Sequence, residues 1–231
     1  MMDRKHWQDD VALTGRSAAL STVRQRQAAA LALWRLRAPL FAFEWDTEWR
    51  LDRSVLESLF RSAVSAPGEQ SDREYGQAIA ELSRAPLFTD GPELDPDIRE
   101  LVQLETIGSL LAFGETLQEP GPDKIEYVID CPRGLADHID RCVADSFYDH
   151  PSQDAHRQYL AALPASVRSH GLGYVASRNL AVEDACHDAL ETLPPAKGLL
   201  DTSTGRDLMA RCEDVGAELV AMLRWLETTG H

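Results

Sequence analysis

Six large aromatic residues, Trp34, Phe41, Phe43, Trp45, Trp49 and Phe60, fall between Ala28 and Val64, and no other stretch of the 231-residue chain concentrates so much apolar area. Surface of that kind must be taken out of water, so the remaining segments are constrained to pack onto it. Leu31, Trp34 and Ala38 share one helical face that runs into Pro39, and an aromatic passage follows. Asp52 then fits the N-cap of a second helix whose stripe is Leu56, Leu59, Phe60 and Val64. The reading is a helical hairpin whose buried face nucleates the fold.

The other segments are helical by the same test. Leu20, Val23, Gln27, Leu31, Trp34 and Ala38 are spaced by three and four from about Ser17 onward, with Gln27 as the polar exception. Ser71 and Glu74 have capping-box spacing ahead of Tyr75, Ile79 and Leu82. Asp95-Pro96 resembles a helix start, with Ile98, Leu101, Val102, Leu104, Ile107, Leu111 and Phe113 behind it. Lys124 to Cys131 fits a strand through Ile125, Tyr127 and Ile129, or a helix through Ile125, Val128 and Ile129, and Pro132 marks a break. Further stripes are Leu135, Ile139, Cys142, Val143 and Phe147, then Val182, Cys186, Ala189, Leu190 and Leu193. Thr202 or Thr204 caps a last helix carrying Leu208, Cys212, Val215, Leu219, Met222 and Leu226. The expectation is an all-α fold, a single-domain bundle of about seven to nine helices over residues 14–231. Residues 1–13, with Trp7 as an anchor, are read as a frayed segment, and Pro120-Gly121-Pro122 as a sub-boundary near 119–123.

Charge narrows the partners. The net charge of −15 argues against nucleic acid and anionic lipid, both of which require clustered cations. Residues 1–40 hold seven basic and three acidic residues, so the acidity lies in the remainder. Between residues 90 and 130, Asp90, Glu93, Asp95, Asp97, Glu100, Glu105, Glu115, Glu119, Asp123, Glu126 and Asp130 face only Arg99 and Lys124. No apolar run approaches the ~20 residues that span a bilayer, and no cysteines form a C-x-x-C pair. A cytoplasmic protein without a membrane partner is expected.

Motifs for chemistry are sparse. His138 and Cys142 form an i, i+4 pair, and Asp149, His150, Asp154 and His156 cluster after a helix end. His187 follows Asp184 by one turn, and His187-Asp188 is the dipeptide of helical metal-dependent phosphohydrolases. These residues define the alternative reading, a metal-dependent hydrolase using His138, Cys142, His150, His156 and His187. Each histidine has a plainer explanation as a surface or capping residue, Cys142 falls on an apolar stripe, and no spacing assembles three ligands. No Gly-x-Ser-x-Gly elbow or phosphate loop is present, and no cofactor or bound metal is expected. Trp45 and Trp49 among Glu44, Asp46 and Glu48 suit either a cation-recognising surface or core packing. The preferred reading is a non-enzymatic acidic helical protein that docks on a basic protein partner. Glu93, Asp97, Glu100, Glu105, Trp45 and Trp49 are its candidate contacts. A third reading is a structural subunit that buries an apolar face in an assembly.

The run Ala30-Leu31-Ala32-Leu33-Trp34-Arg35-Leu36-Arg37-Ala38-Pro39-Leu40-Phe41, its aromatic and acidic turn, and the helix from Asp52 to Val64 resemble the opening of the YjaG-like all-helical bacterial family of unknown function. The resemblance covers about forty residues and implies an all-α cytosolic bacterial protein. Small acidic helical immunity proteins, which neutralise partner toxins, offer an analogy for the binding role.

Overall fold

The computed structural model describes residues 10–89, 96–119, 121–149, 161, 173–194 and 196–229. Among them every regular element is helical: α1 Asp10–Ala19, α2 Thr22–Ala42, α3 Arg53–Val64, α4 Glu69–Leu82, α5 Pro86–Thr89, α6 Ile98–Gln118, α7 Pro122–Asp149, α8 Tyr174–Leu190 and α9 Ser203–Thr229. Two 3₁₀ turns, Thr47–Trp49 and Leu199–Asp201, complete the described elements.

α2 is the axis. Its Ala28 to Leu33 run is buried residue after residue, so this helix is covered on all sides by α9, α7, α6, α3 and α8. Gln27, the polar exception in its pattern, is buried and donates from Nε2 to the Lys197 carbonyl at 2.9 Å. The expected stop at Pro39 does not occur, and the helix continues to Ala42 with Leu40 fully buried. Proline has no amide to donate to the Arg35 carbonyl. Gly216 of α9 lies against that oxygen: a Cβ at 216 would stand 2.8 Å from it and 3.1 Å from the Ala38 Cβ. Glycine there lets the two longest-packed helices meet backbone to backbone.

The aromatic hairpin forms as expected. Phe60 of α3 meets Trp34 edge-on at 6.3 Å and Phe41 at 6.0 Å between ring centroids. Asp52 caps α3 by accepting from the Ser54 amide at 2.7 Å. Two other helix starts differ from expectation. α4 begins at Glu69, and the Ser71 hydroxyl instead donates to the Gly68 carbonyl at 2.8 Å within the first turn. α6 is capped by Asp97, which accepts from the Glu100 amide at 2.9 Å while Glu100 accepts from the Asp97 amide at 3.1 Å. Asp95 lies outside the described residues.

The Lys124 to Cys131 segment is the start of α7, which passes through Pro132 without ending. Ile125, Val128 and Ile129 are buried while Tyr127 is 52% exposed, the pattern of a helix and not of a strand. One contiguous core contains residues from both sides of the 119–123 turn, which therefore connects two packed helices, α6 and α7. At the N-terminus α1 begins at Asp10, inside the segment read as frayed, and Leu13 is fully buried; Trp7 lies outside the described residues. α8 begins at Tyr174, eight residues before its apolar stripe becomes visible. Asp140 of α7 supplies its cap, accepting from the Val175 and Ala176 amides at 3.1 and 2.7 Å, and a Cβ at Gly173 would overlap that carboxyl. Thr202 caps α9 through the Gly205 amide at 2.9 Å, as its sequence indicates.

Candidate functional site

α6 and α7 run side by side and leave a groove of about 440 Å³ between them. Leu111 and Ala112 line its apolar wall, Gly108 leaves open space above its own backbone, and Tyr127 stands over it half in solvent. Glu115 and Asp123 border the groove. Glu105 extends the acidic rim beside Tyr127 and Cys131: partial burial, then the Glu105 carboxylate and Cys131, raise the Tyr127 phenol above its ordinary value. Cys131 Sγ contacts the Glu105 carbonyl at 3.7 Å. Among the described residues the one cation bordering the groove is Lys124, whose Nζ lies 3.2 Å from Glu119 and 3.7 Å from Glu115.

Of the candidate contacts among the described residues, Glu105 alone belongs to this face. Asp97 and Glu100 are engaged in the cap of α6, and Asp97 also pairs with Arg99. Glu93 lies outside the described residues. Trp49 is only 2% exposed, so its ring belongs to the core and offers no docking surface. Trp45 is half-buried and donates from Nε1 to the Leu40 carbonyl at 2.8 Å. The neighbouring rings already carry the protein's own cations: Arg53 over Phe41 at 4.6 Å, Arg37 over Trp34 at 5.2 Å and Arg99 over Phe43 at 5.9 Å. The aromatic corner is therefore not the pair of bare indoles suggested by its sequence.

The candidate metal ligands that are described fall in two separate places. His138 and Cys142 are neighbours on α7 with 3.8 Å between Nε2 and Sγ, while His150 and His156 lie outside the described residues. Among the described residues no three His, Cys, Asp or Glu side chains gather to hold a metal. His187 is elsewhere, 1% exposed in the interior.

That interior holds a polar centre which apolar periodicity does not reveal. Asn179, Glu183 and His187 form a buried ridge at i, i+4 and i+8 on α8. Arg133 of α7 grips the Glu183 carboxylate with Nε at 3.0 Å and Nη2 at 2.5 Å, and its Nη1 reaches Glu126 at 2.7 Å. Arg35 of α2 donates to Asn179 Oδ1 at 2.6 Å and lies 3.8 Å from Glu183. His187 Nε2 is 3.9 Å from Glu183. The visible signal was the four-residue spacing of polar residues, but it reads as a solvent-facing stripe until Arg35 and Arg133 are seen opposite it. No family model, no curated protein and no solved structure matches the chain.

The polar centre makes stability depend on pH. Burial, with Arg16, Arg35 and Arg133 nearby, depresses the His187 imidazole to about 4 against the attraction of Glu183. An unfolded histidine titrates near ~6.5. Between these values the unfolded chain binds the proton and the folded one does not, so stability falls as pH falls. The slope from this one group is about 1.4 kcal/mol per pH unit below pH ~6.5, and the contribution is fully present above it. Glu183, desolvated but held below its ordinary value by Arg133, adds a loss of the same sign at lower pH. Urea unfolding from pH 7.5 to 5 should show the slope, and His187→Gln should flatten it; equal slopes in both proteins would refute the assignment.

Proposed function

We propose that this protein is an acidic helical binding protein of the bacterial cytoplasm whose α6–α7 face docks a basic protein partner, in the manner of an immunity protein or a complex subunit. The observation that carries the reading is Tyr127, 52% exposed above an apolar groove and ringed by Glu105, Glu115 and Asp123. An exposed aromatic beside a groove is the kind of anchor around which interface energy concentrates. The carboxylates steer a cationic partner toward it and penalise anionic competitors. No described helix is long and apolar enough to cross a membrane.

The test uses the partner recovered with the purified protein and measures its binding over a salt series. Tyr127→Ala is expected to weaken affinity by at least ~30-fold, the scale of a central anchor. Glu105→Gln, Glu115→Gln and Asp123→Asn together should slow association and flatten the salt dependence, because exposed charges are screened over ~8 Å at physiological ionic strength. Unchanged affinity in the first variant and unchanged association in the second would remove this face from the interface. A metal-dependent hydrolase has two adjacent candidate ligands, His138 and Cys142, where a catalytic zinc takes three from the protein. Stoichiometric Zn, Mn or Fe in the purified protein would put that reading first.

A further inference from the structure

Among its described side chains, α1 is fastened to the rest of the molecule by buried Leu13 and by polar contacts. Thr14 Oγ1 donates to Glu126 at 2.7 Å and accepts from Arg133 Nη1 at 3.1 Å. Arg16 pairs with Asp184, with Asp188 at 2.8 Å and with Glu191 at 3.8 Å, all on or just after α8. Leu13 is the fully buried apolar anchor of the helix, yet the contiguous core begins in chain order at Leu20. Behind α1 lies the Arg133–Glu183 pair with His187, whose imidazole feels the Arg16 charge.

Three features make this attachment separable from the fold. Gly15 lies inside α1 and lowers its intrinsic helical stability, so the helix depends on its packing partners. Ion pairs with exposed partners such as Asp188 and Glu191, about 60% accessible, contribute little and are screened by salt. The connection to α2 is two residues, and its extended Ser21 makes no side-chain cap. α2 to α9, by contrast, share one apolar core.

We propose that α1 is a releasable strap: it detaches and unfolds as a unit while α2 to α9 stay folded, uncovering the Arg133, Glu183 and His187 cluster to solvent. Arg16 is the latch and Leu13 the pin. Opening of this kind is a sub-global transition, lower in free energy than complete unfolding.

Hydrogen exchange of the full chain, read by mass spectrometry at one pH in 0.05 and 1 M NaCl, tests this directly. Amides of residues 14–19 are expected to exchange at least ~100-fold faster than those in the middle of α9. Raising the salt, or replacing Arg16 by Gln, should accelerate α1 a further ~3- to 10-fold and leave α9 unchanged. The salt series on the unaltered protein stands by itself if Arg16→Gln folds poorly. Exchange of α1 at the α9 rate, or an α1 rate indifferent to salt, would overturn the proposal.

Discussion

Glu183→Gln is expected to destabilise the protein by about 3–5 kcal/mol, the cost of removing a buried carboxylate that faces two buried guanidiniums, Arg133, which keeps Glu126, and Arg35. Glu183 is 1% exposed and holds Arg133 through both carboxylate oxygens, with the Arg35 guanidinium 3.8 Å away. An amide keeps the volume but carries no charge, and it presents one acceptor where the fork of Arg133 needs two. Urea unfolding at pH 7.5 measures the loss. The double variant Glu183→Gln with Arg133→Met should recover part of it, since an apolar replacement removes the charge that Glu183 neutralised. A loss below about 1 kcal/mol in the single variant would mean that water reaches the cluster in the folded state.

Phe60→Ala is the second large effect, also about 3–5 kcal/mol, because the ring is 1% exposed and packs between Trp34 and Phe41. Trp34→Ala should cost clearly less. Trp34 is half-buried, and its Nε1 reaches Glu213 at 3.0 Å near the surface, so the void is open to solvent on one side. Thermal or urea melts of the two variants therefore rank them. A Trp34 variant as damaging as the Phe60 variant would place the indole, and not the α3 ring, at the centre of the hairpin.

The ranking illustrates which information is local. The all-α class, the hairpin of α2 and α3, the Asp52 and Thr202 caps and the stripe of α9 from Leu208 to Leu226 were legible because each depends on residues within one or two helical turns. Pro39 and Pro132 were read as breaks, and both sit inside helices. A proline removes one hydrogen bond and kinks the backbone, and a helix buried on several sides recovers that loss through contacts made far along the chain.

The candidate site divides along the same line. Acidic density from residue 90 to 130 is a property of the sequence. Which of those acids face the groove is decided by tertiary structure: Asp97 and Glu100 are consumed by a helix cap, whereas Glu105, Glu115 and Asp123 surround a groove and an exposed Tyr127. The polar ridge of α8 is the extreme case. Asn179 meets Arg35 across 144 residues and Glu183 meets Arg133 across 50, so hydrophobic periodicity, which assumes that polar means exposed, found the buried stripe of Val182, Cys186, Leu190 and Leu193 but not the polar ridge buried beside it. Sequence by itself determined the helical class, the Asp52 cap and overall charge, since these follow from backbone chemistry within a few residues. Only the tertiary structure decided which polar groups face water, because a buried charge is tolerable only where another helix brings its counter-charge within hydrogen-bonding distance.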